Sequence, residues 1–226
     1  MSDHGISASV ARERQKSWLA AAERARQAQQ AIRGRRLAAG RHIVLRDGSE
    51  VLIRRVQDTD APLLADAFSR LSLRSRWMRF LMAKHRLTEA ELRYLTQVDH
   101  YDHEALVALD PLTGRGVGVS RYVRNGADPQ AAEIAVTVID DWQRLGLGTV
   151  LLAQLSDRAR AAGICRLTAL LSAENNAAIR LLRRADAEFI RREEDTVEYD
   201  IPLGLAGTGS WPWQLRPALP SRPGRR

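Results

Sequence analysis

The residues whose types and spacing suggest chemistry gather around DDWQRLGLGTVLL, residues 140–152. Here Gln143, Gly146 and Gly148 stand directly behind a run of β-branched residues and ahead of an aliphatic run. Glycines at such a junction let successive backbone N–H groups converge on one point. A helix that starts there adds the positive end of its dipole, so the turn suits a phosphate. Three phosphate-loop templates compete. The P-loop demands Gly-x4-Gly-Lys-Ser/Thr, and no such lysine is present, which argues against ATP or GTP chemistry. The dinucleotide fingerprint needs a third small residue where this chain has Leu151, and an acid about 20 residues on at a strand end. Neither condition is met, and the preceding strand is the fourth in order rather than the first. The third template, Gln/Arg-x-x-Gly-x-Gly/Ala between strand and helix, is filled by Gln143, Gly146 and Gly148 without a mismatch.

Glu133 lies on the strand that feeds this turn, AAEIAVTVI. A carboxylate beside an apolar cleft has its pKa raised toward neutrality, which suits it to take a proton from an ammonium group. The plain alternative is an ion pair with a surface arginine. Other candidates carry less. Asp99-His100-x-x-His103 has a metal-like spacing but no further ligand pattern. Arg74, Arg76 and Arg79 form either a grip for an acidic protein or a solvated helix face. Ser120 lacks a His or Asp pattern that would make it a nucleophile, and Cys165, inside an apolar strand pattern, reads as a small core residue.

The elements that must position these groups follow from periodicity and caps. Residues 50–56 read as a first strand and DTDAPLLADAFSRL as a helix with Pro62 in its first turn. Residues 72–82 read as a second helix, and Thr88-x-x-Glu91 is a capping box that opens a third, through Gln97. Strands at 103–110 and 116–124 flank a Pro-Leu-Thr-Gly turn. The strand over 131–139 then leads through the glycine turn into a helix over 148–162, with Gly163 as its C-terminal cap. A strand over 164–171, a helix over 175–185 and two closing strands, EFIRREE and VEYDI, complete the order. Hairpin strands mixed with two strand–helix crossovers predict an α/β domain with a mixed sheet.

The net charge of +8 is unevenly spread. Residues 1–41 carry nine Lys/Arg against three acids, and residues 203–226 carry four Arg and no acid, so the middle of the chain is slightly negative. A nucleic-acid-gripping domain carries its positive stripe on the folded face, so that class is disfavoured. No apolar run reaches the roughly 18–20 residues of a membrane span, and the N-terminus lacks a signal-peptide core. With a single cysteine, the chain fits a reducing cytoplasm. Three parts are expected: a basic helical extension over 1–41, a folded domain over 42–203, and a Pro/Trp/Arg-rich tail over 204–226. The extension's helix, over 8–33, needs a partner surface to persist.

The QRLGLG turn resembles the coenzyme A pyrophosphate loop of the GCN5-related N-acetyltransferases (GNAT). ENNAAIRLL, residues 174–182, resembles that family's second signature. The element order from residue 50 to 201 is similar as well. The resemblance implies a mixed, mostly antiparallel central sheet with a splayed parallel strand pair and flanking helices. It places acetyl-CoA on the strand backbone at Val136, Thr137 and Val138, and on the loop through Gln143, Arg144, Leu145, Gly146, Leu147, Gly148 and Thr149. Asn175 is implied to approach the pantetheine arm, and no metal is implied. Glu133 matches the glutamate that Pat-type bacterial protein lysine acetyltransferases use as general base. RWMRF followed by LTEAELRYLTQVDHYDHEALVALD is similar to the acetyltransferase domain of those enzymes. The implied partners are acetyl-CoA and a protein lysine, with acyl-CoA synthetases as candidate substrates. A small-amine acetyltransferase and a degenerate coenzyme A-binding adaptor are the alternatives. The sequence departs from the family at Leu182, where many relatives carry a tyrosine acid, and at Asp186-Ala187, where a glycine is usual.

Overall fold

The computed structural model describes residues 40–204. The helix expected over 8–33 and the tail residues Trp211 and Trp213 lie outside them. The described chain forms one eight-stranded sheet in the order β1-β2-β3-β4-β5-β6-β8-β7. Its strands are β1 (Arg41–Val44), β2 (Glu50–Arg55), β3 (His103–Leu109), β4 (Gly116–Arg124), β5 (Ala131–Val138), β6 (Arg166–Ser172), β7 (Glu188–Glu193) and β8 (Thr196–Pro202). Every neighbouring pair is antiparallel except β5 and β6. Strand β1, next to the basic extension and only four residues long, went unread in the sequence.

The helices are α1 (Ala61–Ser69), α2 (Leu73–Phe80), α3 (Glu89–Thr96), α4 (Leu147–Ala161) and α5 (Asn176–Arg184). The expected start at Asp58 is a short 3-10 turn, Asp58–Asp60, which hands over to α1 with Pro62 in the first turn. Helix α2 stops earlier than expected because Leu81 turns left-handed at φ 54°. The capping box holds: Thr88 Oγ1 accepts from the Glu91 N–H, and Glu91 accepts from the Thr88 N–H. Gly163, at φ 79°, ends α4 as expected.

Alternation along the strands divides the helices between the two faces. Gly118, Ser120 and Tyr122 look toward α4: a Cβ on Gly118 would meet Leu151 and Leu147, and the Ser120 hydroxyl donates to Leu151 O. Val119 and Arg121 face the opposite side, where Arg121 donates to Leu95 O of α3. A register shift between Ala108 and Leu109 on β3 reverses this parity at the start of β4. Gly116 thereby turns its α-carbon toward Leu63 and Ala67 of α1. Leu147, Leu151 and Leu155 are buried beneath the sheet, each contributing about 1.5–3 kcal/mol of burial.

Under α1 one charged pair is buried outright. Arg54 grips Asp60 through two bonds of 2.6 and 2.8 Å, and Asp60 also accepts from the Gln57 N–H at 2.9 Å. This fixes the entry of α1 onto the sheet.

Candidate active site

Strands β5 and β6 run parallel only at Ala131–Glu133 against Arg166–Thr168. Glu133 opposite Thr168 is the last pair, and beyond it the strands part. Backbone direction alternates along β5. Gln130 O accepts from the Arg166 N–H on the β6 side, whereas the Ile139 N–H donates to Val117 O on the β4 side. The even-numbered residues Ile134, Val136 and Val138 therefore aim their backbone groups into the gap. Thr137, by the same alternation, spends its backbone on β4, where it faces Val119, and offers its side chain alone.

At the C-terminal end of the gap the glycine turn is held by named contacts. Gln143 Nε2 donates to Val138 O at 3.1 Å and to Ser75 Oγ at 3.2 Å. The glutamine thus ties the turn to the end of β5 and to α2, and it occupies the Val138 carbonyl. Arg144 and Gly146 both adopt positive φ, at 65° and 95°, and Gly146 caps α4. Only at Gly146 is the lack of a side chain demanded by conformation. Gly148 carries no such demand: a Cβ there would stand 3.5 Å from Leu181 of α5, an ordinary contact. Leu145 is half-buried, Leu147 is buried, and Thr149 is half-buried in the first turn of α4.

Asn175 caps α5, its Oδ1 accepting from the Ala178 N–H at 3.1 Å. Its side-chain amide nitrogen makes no hydrogen bond among the described residues. Leu182 is a buried core residue. Asp186 adopts φ 51°, the left-handed conformation for which the usual glycine is suited.

Glu133 is exposed and makes no ion pair or hydrogen bond among the described residues. It shares a sheet face with Ala135 and Thr137. These two, with Gly118, Val119 and Arg121, floor an open cleft roofed by Leu64, Phe68, Leu71, Arg79, Phe80, Leu87 and Leu95. Glu133 acts on Arg79 across the cleft: burial pulls the Arg79 guanidinium down, and Glu133 partly restores it. Arg121 is held down to about 10 by burial and by Arg79. Of the arginines Arg74, Arg76 and Arg79, only Arg79 lines the cleft. Arg76 donates to the backbone at Ser69 and His85, and Arg74 is exposed.

Several other residues settle into structural roles. Asp99 Oδ1 accepts from the N–H groups of His103, Tyr101 and Asp102, and the first two of these chiefly hold its carboxyl below the usual range. His100 Nδ1 lies 2.6 Å from Glu104. Cys165, one residue before β6, is partly exposed rather than a core residue.

Two contributors had escaped the sequence reading. Asp140 accepts from the Ser72 N–H, the Ser72 hydroxyl and the Ser75 hydroxyl at 2.8–2.9 Å, binding the start of α2 to the segment after β5. Burial pushes its carboxyl up, but these bonds together leave it below the ordinary value. Arg46, in the β1–β2 turn, donates its N–H to Leu145 O at 3.4 Å. Its side chain lies 3.6–3.7 Å from where a Gly146 Cβ would stand, which puts a guanidinium beside the turn. The unread β1 concealed it.

The sheet, its single splayed parallel pair and the glycine turn at the gap together define a fold that known proteins share. Residues 72–186 match the acetyltransferase (GNAT) family, and the chain belongs to that family. It is 39% identical over 135 residues to acetyltransferase PA5475 of Pseudomonas aeruginosa, covering 59% of this chain and 72% of that protein. It is 34% identical over 117 residues to acetyltransferase Pat of Mycolicibacterium smegmatis, covering 51% of this chain but 35% of that longer relative. The GNAT domain of S. lividans PAT superposes with a TM-score of 0.68 at 28% identity, over 72% of this chain and 96% of that one. The protein is an acetyltransferase of the GNAT family. No described helix is long and apolar enough to cross a membrane.

Proposed function

We propose that the protein transfers an acetyl group from acetyl-CoA to protein lysine side chains in a ternary complex, with Glu133 as general base. The observation that carries this reading is the place of Glu133: it is the last residue of β5 to pair with β6, at the point where the gap opens. The residues present fit the donor. The turn Arg144–Thr149 presents backbone N–H groups at the start of α4, beside the Arg46 guanidinium. Val136 and Val138 line the open strand edge, and Asn175 keeps a free donor group. Acetyl-CoA supplies an acetyl thioester.

The chemistry left to this chain is proton management and orientation. A lysine ammonium, with a pKa of about 10.4, must lose a proton before its nitrogen attacks the thioester carbon. Glu133 accepts that proton directly or through one water, from the cleft side of the sheet. The Val136 N–H, aimed into the gap, donates to the carbonyl oxygen as negative charge develops there. The new C–N bond forms as the C–S bond breaks. The attacking nitrogen sheds its second proton to solvent as it becomes an amide, and the sulfur leaves as a thiolate that recovers a proton from solvent, since Leu182 supplies no acid.

A protein acceptor is supported by the likeness to Pat and by the outer surface of the elements that roof the cleft, where Leu73, Trp77, Met82 and Tyr94 are exposed. A polycationic small amine requires an acid-lined cleft, and the lining holds two arginines and no carboxylate. Reaction in a cytoplasmic setting, with acyl-CoA synthetases among the acceptors, belongs to the same reading. Glu133→Gln is expected to lower turnover by about 10²–10⁴-fold while the Kd for acetyl-CoA stays within twofold. Coenzyme A release, assayed with acyl-CoA synthetases as acceptors and with mass spectrometry of their lysines, reads the result. Undiminished turnover removes Glu133 from the base role. Binding of acetyl-CoA without release of coenzyme A to any amine leaves the adaptor.

A further inference from the structure

Arg121 is 5% exposed, and its flanking residues on β4 are apolar or small. It donates Nη2 to Leu95 O at 2.9 Å, and its guanidinium lies 5.5 Å from the Tyr94 ring. Its Nε is buried with no hydrogen-bond partner. Arg79 reaches into the same cleft from α2 and, apart from stacking on Phe80 at 4.9 Å, makes no hydrogen bond or ion pair among the described residues. Two guanidinium groups therefore share an otherwise apolar cleft, close enough for Arg79 to weaken the hold of Arg121 on its proton.

Burying like charges together is costly unless an anion compensates them. Glu133 is the one carboxylate felt by Arg79, and it leaves the pair with a surplus positive charge. His103, on the same sheet face, adds no positive charge, since burial and Arg121 keep it neutral near pH 7. The vacant donors match a carboxylate, which guanidinium groups bind through paired, charge-assisted bonds. The walls, Leu64, Phe68, Leu71, Phe80 and Leu87, match an aliphatic chain.

We propose that Arg79 and Arg121 form a carboxylate-binding subsite that accepts a carboxylate carried on a short aliphatic chain. The proposal rests on reading this cleft as the acceptor side of the transferase. Such a carboxylate arrives from one of two sources: the far end of a dicarboxylic acyl group, or an acidic side chain of the acceptor beside its lysine.

The test is calorimetric and uses the full chain. In the first arm, hexanoate and its neutral isostere hexanamide are titrated into the protein alone and into protein saturated with acetyl-CoA. In the second, succinyl-CoA is compared with butyryl-CoA. The expected result is at least a tenfold preference for the charged member in one or both arms, reduced to less than twofold in Arg121→Met and in Arg79→Met. Preference in the succinyl arm assigns the acyl source, and preference for hexanoate on the acetyl-CoA-saturated protein assigns the acceptor source. Equal binding of charged and neutral members in both arms overturns the proposal, as does a preference that survives both substitutions. Arg79 is less deeply buried, so Arg79→Met carries the test if Arg121→Met does not fold. Hexanoate binding to the protein alone is read without any donor, so failure of acetyl-CoA to bind counts against the proposed function and not against the subsite.

Discussion

Gly146 and Gly148 look equivalent in the motif and are not equivalent in the structure. At φ 95°, a side chain on Gly146 is strained whatever space surrounds it. A Cβ on Gly148 only touches Leu181 at 3.5 Å, an ordinary contact. Gly146→Ala is therefore expected to cost about 1–2 kcal/mol in urea unfolding and to weaken acetyl-CoA binding, whereas Gly148→Ala leaves stability within about 0.5 kcal/mol. Equal losses at the two positions would contradict this division. Glu133 and the glycine turn were legible as residues because their types and spacing carry the chemistry. Arg121 was not: within GVGVSRYVR an arginine reads as a solvent-facing strand residue. Only its pairing opposite Ala135, beneath α3, shows that it points into a cleft.

Among the elements, α2 and the segment after β5 are stapled together by Asp140 with Ser72 and Ser75, and by Gln143 with Ser75. Asp140→Ala removes the acceptor for three hydrogen bonds, leaving the Ser72 side chain to cap α2 alone. We expect a loss of about 1–2 kcal/mol in chemical denaturation, together with faster amide hydrogen exchange across residues 72–80 and 143–146. Faster exchange confined to α2 would show that the glycine turn holds itself. Strands β2 to β6 and helices α3 to α5 were readable from period and caps, because each local preference agrees with its tertiary setting. Strand β1 was not, since RHIV is four residues long and gains its strand character only by pairing with β2. The parting of β5 from β6 leaves no local trace either. It entered through resemblance alone, and the register shows where it begins.

Across the whole molecule, acid sensitivity follows from groups whose protonation differs between the folded and unfolded chain. The folded pKa of His103 is pulled down from 6.5 to about 4 by burial and by Arg121, and its Nε2 is buried without a partner. The unfolded chain therefore binds this proton first as pH falls. The contribution is complete above about pH 6.5 and is lost on descending toward pH 4. Asp66, held down chiefly by its hydrogen bond from Arg115, and Asp99, held down by backbone N–H groups, act in the same sense below about pH 4. Melting temperature is expected to fall between pH 6.5 and 4.5, and His103→Gln is expected to flatten that fall. A wild-type curve with no decline in this window would rule out the half-buried neutral imidazole.

On this reading of the fold, the donor lies along the open edge of β5 and on the turn that follows it. Titration of acetyl-CoA into isotopically labelled protein, followed by amide NMR, tests this most directly. The largest shifts are expected at Val136 and Val138 and across Arg144–Thr149, with the same pattern in Glu133→Gln. Saturable binding that leaves those amides unmoved, with its largest shifts elsewhere, would contradict it.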